Sequence, residues 1–164
     1  MRDILESIER EYRRYKGLAE ATFEQLSAGQ LAHVAGAEDN SIVTIVWHIS
    51  GNLKSRFTEF LTTDGEKPWR QRETEFDQRA VTQAEMRQKW EEGWAVLFAA
   101  LQGLRDEDLG AAVTIRGEAM PVRDALHRSL AHTAYHVGQI VFLGKSLRGV
   151  EWRSLTIPRQ RRAT

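Results

Sequence analysis

Two histidines four residues apart carry the strongest chemical signal in this sequence. On a helix, His132 and His136 project from one face about one turn apart. That spacing suits two imidazoles bound to one ion, because metal–nitrogen bonds are about 2 Å long. A pair with this spacing also arises by chance in helices, so the pair alone does not establish a metal site.

A third histidine on another predicted helix strengthens this interpretation. His132 and His136 lie at the edge of the apolar stripe of their helix, and His48 lies just off the stripe of an earlier helix. The edges of facing stripes meet in a helical bundle, and bundles build metal sites there. His48 would then complete three imidazole ligands with a fourth position open, as in catalytic zinc sites. Nickel, cobalt and iron also bind imidazole. His127 projects from nearly the opposite side of its helix and is not part of this set.

The elements that must position these histidines are four amphipathic helices, predicted from apolar residues that recur every three or four positions. The first three helices have N-terminal capping signals, which are Asp3 with Glu6, Asn40 or Ser41, and Thr82 with Glu85. The fourth has Pro121 in its first turn and ends at Gly149. Alternation around Gly117 predicts a possible short β-hairpin between the third and fourth helices. The fold class is therefore predicted as all-α, a four-helix bundle that forms a single domain over residues 1–164.

The segment Thr62–Ala80 is predicted to be an ordered loop between the second and third helices. Lys67 and Arg70 could contact an anionic ligand and Trp69 offers an apolar contact, so these three residues form a possible substrate loop. The alternative is a loop stabilised by its own ion pairs, with Trp69 and Phe76 packed on the helices. The ion-pairing residues would be Arg70, Arg72, Glu73 and Glu75.

Composition argues against several classes of function. The 23 basic and 23 acidic residues balance to a net charge of zero, whereas a general nucleic-acid binder needs excess basic charge. The absence of cysteine excludes disulfides, thiolate metal ligands and a cysteine nucleophile. We expect a cytoplasmic protein, since the N-terminus is not a secretory signal and no apolar run could cross a bilayer. A basic tail at about 158–164 is expected to be solvated.

A two-metal oxidase is not expected. Di-iron bundles combine carboxylates from several helices with a Glu-x-x-His motif. No glutamate lies three residues before any histidine in this sequence. Asp124 precedes His127 in that way, but His127 points away from the other predicted ligands.

Two histidine-containing segments resemble the DinB-like superfamily of metal-binding helical bundles. They are His48-Ile49-Ser50-Gly51-Asn52 and His132-x-x-x-His136-Val137-Gly138-Gln139-Ile140. The loop from Phe60 to Arg70 is similar to that of an uncharacterised branch of this superfamily, described as a domain of unknown function. The likeness spans nearly the whole chain.

The resemblance implies a four-helix bundle of DinB-like type, usually a homodimer, with one divalent metal ion on His48, His132 and His136. Zinc and nickel are the leading candidates for this ion. Similar proteins include transferases that use a low-molecular-weight thiol, such as bacillithiol or mycothiol, and many others have no known activity. The leading hypothesis is therefore a thiol-dependent S-transferase-like enzyme. Asn52 and Gln139 would orient the histidines or the bound ligand, although both could equally be ordinary polar positions.

Two alternative functions stay open at this point. A metal-dependent hydrolase would use metal-activated water, but it needs a general base. The only carboxylate candidate on the histidine face of the second helix is Glu59, which is more than two turns from His48. The other alternative is a non-enzymatic, metal-stabilised binding or stress-response module that uses the Asp64–Phe76 loop as its interaction surface. Neither alternative requires a nucleic-acid or membrane partner.

Overall fold

The computed structural model describes residues 2–158, which are mostly helical: 64% of the structure is helix. The α-helices are α1 (Asp3–Phe23), α2 (Ala28–Leu31), α3 (Ile42–Phe57), α4 (Gln83–Gln102) and α5 (Val122–Arg148), and the strands are β1 (Ala112–Ile115) and β2 (Glu118–Pro121). Short 3-10 helices span Glu73–Phe76, Asp106–Gly110 and Gly149–Glu151. None of the helices in this part of the chain combines the length and apolar character that crossing a membrane requires. The arginines of the predicted basic tail lie outside the described residues.

Local capping explains where α3 and α4 begin. The Ser41 hydroxyl accepts a hydrogen bond from the backbone N–H of Thr44 at 3.0 Å, so Ser41 rather than Asn40 caps α3. Thr82 and Glu85 form the predicted capping box of α4, in which each side chain accepts from the backbone N–H of the other residue. These caps satisfy amides that the helices themselves leave free.

The capping box predicted at the start of α1 is wrong. The N-cap residue is Arg2, without a side-chain cap, and both Asp3 and Glu6 lie in the first turn. The Asp106 carboxylate, which follows α4, accepts from the backbone N–H of Leu5 at 3.1 Å and of the residue before it at 3.3 Å. A residue about a hundred positions away in sequence therefore satisfies the free amides of α1.

The predicted hairpin is present and leads directly into α5. β1 pairs antiparallel with β2, with Val113 opposite Met120. Pro121 is the last residue of β2 and the N-cap of α5, one position earlier than predicted. Its fixed φ, here −61°, is compatible with both the strand and the helix start. Gly149 follows the end of α5 as predicted.

One apolar core joins α1, α3, α4 and α5. The inward face of α3 is buried along its whole length, from Ile42 to Phe57. Trp90 and Trp94 of α4 are almost fully buried, and Tyr12 of α1 packs edge-on against Trp94 with ring centroids 6.2 Å apart. These buried contacts hold α3 in place, and α3 carries His48.

Candidate metal centre and adjoining cleft

Three histidine side chains meet where α3 approaches α5. The Nε2 atom of His132 lies 3.1 Å from Nε2 of His48 and 3.2 Å from Nε2 of His136. Two nitrogens bound to one tetrahedral zinc ion lie about 3.3–3.4 Å apart, since each metal–nitrogen bond is about 2.0–2.1 Å long. The three residues are therefore close enough to hold a metal ion.

Hydrogen bonds at the outer nitrogens determine which nitrogens face inward. Nδ1 of His48 donates to Oε2 of Glu75 at 2.9 Å, and Nδ1 of His136 donates to Oε1 of Gln139 at 2.7 Å. A carboxylate only accepts, so the proton of neutral His48 lies on Nδ1 and its Nε2 has a free lone pair. The amide oxygen of Gln139 has the same effect on His136. Metal-binding histidines usually have an outer partner of this kind.

The environment of the site keeps two of the rings neutral. Burial, together with the neighbouring His136 and His48 rings, lowers the pKa of His132 to about 3. Burial also lowers the pKa of His136, although its hydrogen bond with Gln139 opposes the shift. Only a deprotonated ring nitrogen binds a metal ion, so both side chains are in the binding form at neutral pH.

Glu75 connects the loop after α3 to the metal centre. Its side chain is buried, and it accepts two hydrogen bonds of 2.8 Å from the guanidinium of Arg70 in addition to the one from His48. Burial raises the pKa of Glu75, but the hydrogen bonds from Arg70 and His48 outweigh it and the pKa is lowered overall. Glu75 is therefore a carboxylate that holds His48 in position.

The Glu75 carboxylate lies directly against α3 at Gly51. A Cβ at position 51 would lie 2.7 Å from Cδ of Glu75, closer than such atoms approach in real structures. Glycine at this position thus leaves the space that the carboxylate needs to reach His48, one turn earlier on the helix. This role of Glu75 was not predicted from the sequence, in which Glu75 was expected only as an ion-pair partner within the loop.

The predicted substrate loop is directed partly away from the histidines. The Lys67 side chain is buried and its Nζ donates to Thr63 Oγ1 at 2.7 Å, so it is engaged within the loop. Trp69 is 52% exposed, which suits the substrate-loop prediction and not the alternative in which it packs on the helices. Phe76 does pack on the site, with its ring centroid 4.9 Å from that of His48. Of the three predicted substrate-loop residues, Arg70 alone reaches the cleft beside the histidines.

The charged residues of this loop pair with one another. Arg70 pairs with Glu75 in a buried ion pair, and Arg72 pairs with Glu73 at 2.7 Å on the surface. Both pairs were anticipated as the alternative to a substrate loop. The loop is therefore stabilised by its own ion pairs, and the more buried pair also contacts the candidate metal centre.

A cleft of about 210 Å³ opens beside His48 and His132. Its apolar lining consists of Phe57, Phe60, Ile115 and Ala125, and its polar lining of Asn52, Ser129, Arg56, Arg70, Arg72, Arg116 and Arg128. No carboxylate lines this cleft among residues 2–158. Glu59, the candidate general base of the hydrolase alternative, is exposed and lies outside the cleft lining. The cleft therefore provides space for a ligand next to the histidines but no acidic general base.

The remaining predicted residues divide between the site and the surface. Asn52 lines the cleft one turn after His48, and Gln139 contacts His136 directly. His127 is exposed and takes no part in the histidine cluster, as its position on the helix predicted. Tyr135 is 64% exposed, with its ring centroid 5.0 Å from that of His136. Tyr135 therefore contacts the outer side of His136 and stays exposed to solvent.

Comparison with known proteins places this chain in a family. The model of a family described as "Protein of unknown function (DUF1572)" matches residues 1–161. This protein belongs to the DUF1572 family. No curated protein matches the chain, and no solved structure matches it.

Membership of the DUF1572 family confirms the prediction that the chain belongs to an uncharacterised family. The family description names no activity. The chemistry of this DUF1572 protein therefore depends on what its site contains: three converging histidine nitrogens, a carboxylate that orients one of them, and an arginine-lined cleft.

Proposed function

We propose that this protein is a metal-dependent, thiol-dependent S-transferase-like enzyme on a four-helix bundle of DinB-like type. His48, His132 and His136 would hold one divalent ion, with zinc and nickel as the leading candidates. The observation that carries the proposal is the convergence of three Nε2 atoms beside an open cleft. That of His132 lies 3.1 Å from that of His48 and 3.2 Å from that of His136. We also propose, from the resemblance alone, that the protein is a cytoplasmic homodimer.

The donor set fits a catalytic rather than a purely structural ion. Three neutral nitrogen ligands leave a position for an outside thiol, whose pKa a divalent ion there would lower so that the thiolate forms near neutral pH. Glu75 holds the proton of His48 on Nδ1, and Gln139 does the same for His136. Phe57 and Phe60 supply an apolar wall of the cleft.

The proposed reaction is a substitution at carbon. The sulfur of the thiolate attacks an electrophilic carbon, the carbon–sulfur bond forms as the bond to the leaving group breaks, and the leaving group departs with its electron pair. The thiol proton passes to solvent. Because the chain contains no cysteine, the thiol must come from a separate molecule.

A hydrolase and a non-enzymatic module receive less support from the site. Hydrolysis by an activated water requires a general base, and no carboxylate lines the cleft among the described residues. Glu75 is already engaged by Arg70 and His48. Of the loop residues on which the binding-module hypothesis relied, Trp69 is exposed, but Lys67 is buried within its own loop and Arg70 is engaged by Glu75.

Thiol binding to cobalt-substituted protein tests this function. Cobalt suits the same imidazole ligands as zinc and gives absorption bands that report on bound sulfur. We expect cysteine or bacillithiol to produce a sulfur-to-cobalt charge-transfer band in the parent protein and none in a His132→Ala/His136→Ala variant. The metal-loaded parent should also speed the reaction of such a thiol with monobromobimane, which releases bromide. A loaded protein with neither the band nor a rate above buffer would contradict the proposal.

A further inference from the structure

The cleft beside the histidines carries excess positive charge, although the protein as a whole is neutral. Arg56 and Arg116 share one carboxylate, that of Glu66, at distances of 3.4 and 2.7 Å. Arg70 pairs with Glu75, and Arg72 pairs with Glu73. Arg128 has no ion-pair partner among residues 2–158. The five arginines are therefore balanced by three carboxylates, all outside the cleft lining.

The residue after Arg128 faces the core rather than the open cleft. Ser129 is 7% exposed, its Oγ is out of contact with solvent, and its hydroxyl lies beside that of Tyr12. The Tyr12 hydroxyl donates to the carbonyl of Leu126 at 3.2 Å. Arg128 is therefore the residue of this turn that is free to donate to a ligand in the cleft.

The positions of these residues on their helices give the direction of the cleft. Arg128 lies four residues before His132 on α5, while Asn52 and Arg56 lie four and eight residues after His48 on α3. All of them line the same cleft. At a rise of 1.5 Å per residue, Arg128 is about 6 Å and Arg56 about 12 Å along the helix axes from the histidines. The cleft thus extends from the histidines toward the hairpin.

We propose that this cleft binds a small organic acid whose carboxylate or phosphate group is held by Arg128, about one helical turn from the histidines. A guanidinium forms paired hydrogen bonds with either group. The apolar part of the molecule would contact Phe57 and Phe60. The inference rests on the proposed function in one respect: it makes this acid one of the two reactants of the thiol transfer.

Anion titrations followed by ¹H–¹⁵N NMR test the inference. The probes are succinate, inorganic phosphate and succinamide, the uncharged analogue of succinate, each added to zinc-treated and to metal-free protein. Arg128→Gln removes the unpaired charge at an exposed position, and Arg123→Gln is the matched control. Arg123 is an exposed arginine of the same helix that pairs with Asp124 and does not line the cleft.

We expect saturable shifts in residues around Arg128 with at least one of the two anions and none with succinamide. Arg128→Gln should weaken that binding by about tenfold or more, as expected for loss of a charged hydrogen-bond donor. Arg123→Gln should change it by less than about twofold, since distant surface charges are largely screened. Binding of succinate alone identifies a carboxylic acid, and binding of phosphate alone identifies a phosphorylated ligand.

Two results would overturn the inference. One is the absence of saturable binding by either anion. The other is an equal loss of binding in the Arg123 and Arg128 variants, which would indicate general charge attraction. The metal-free titration separates this inference from the proposed function. Arg128-dependent binding in a protein that takes up no metal would support the anion site and contradict the proposed transferase. Metal uptake without anion binding would contradict the anion site and leave the proposed transferase untouched.

Discussion

At the scale of single residues, Glu75 decides how well His48 is held. Its carboxylate accepts from His48 and from Arg70, and both of these side chains lie largely out of solvent. Replacing the carboxylate by an amide removes the charge that holds both donors. The single amide oxygen that remains cannot accept from both His48 and Arg70 as the carboxylate does, so His48 would be oriented less firmly, by that oxygen and by packing against Phe76.

We therefore expect Glu75→Gln to lower the affinity for zinc by about 10- to 100-fold, the usual effect of losing a group that orients a metal ligand. Competition with a chromogenic chelator would measure this change. The matched control is Glu73→Gln, since Glu73 pairs with Arg72 on the surface of the same loop. Equal zinc affinity in the Glu75 variant and the parent would show that this carboxylate does not support the site.

At the scale of secondary-structure elements, the contact between α3 and the following loop shapes the site. It depends on the missing side chain of Gly51, against which Glu75 packs. Alanine favours helix over glycine by about 1 kcal/mol, so a Gly51→Ala exchange would strengthen α3 by itself. The added Cβ would nevertheless push the Glu75 carboxylate away from His48.

Gly51→Ala should consequently lower zinc affinity without changing any charge in the protein. Gly138→Ala is the control, because a Cβ at position 138 on α5 would meet nothing within 4 Å. The control should keep the zinc affinity of the parent and unfold at an equal or higher urea concentration. If chelator competition gave Gly51→Ala the affinity of the parent, the packing of Glu75 on α3 would not matter for the site.

Helix starts that depend on nearby side chains could be predicted from the sequence, and those that depend on distant residues could not. The starts of α3 and α4 follow from local side chains, Ser41 and Thr82, whose chemistry is visible within four residues. The start of α1 depends on Asp106, a partner that only the folded chain brings close. For the site, helical spacing identified His132 and His136 as neighbours.

The contribution of Glu75 could not be predicted in this way. Glu75 belongs to a loop without periodicity, so its sequence position gave no indication that it would meet His48. For the same reason the sequence left open whether Trp69 is exposed or packed on the helices. Predictions based on periodicity are reliable where one helix face decides the contact, and they fail where a loop crosses between elements.

At the scale of the whole molecule, the neutral histidines link the site to stability. The pKa of His132 is about 3 in the folded chain, against about 6.5 when unfolded, and the pKa of His136 is lowered as well. The unfolded chain therefore binds more protons than the folded chain below about pH 6.5, and stability must fall as the pH decreases through this range. The lowered pKa of Glu75 acts in the same direction below its ordinary value.

We expect the free energy of unfolding of the metal-free protein to decrease between about pH 6.5 and pH 5, and to decrease less in a His132→Gln variant, since glutamine does not bind a proton. Urea denaturation at several pH values would measure both slopes. His127→Gln serves as the control, because that histidine is exposed and outside the cluster. Identical slopes for the parent and the His132 variant would contradict the neutral state inferred for the site.

The central claim is that His48, His132 and His136 together hold one divalent ion. Its most direct test is elemental analysis of protein purified without a histidine tag, beside the His132→Ala/His136→Ala variant. We predict about one equivalent of zinc or nickel in the parent and none in the variant. A folded parent that stays metal-free after incubation with an excess of both ions would contradict the claim.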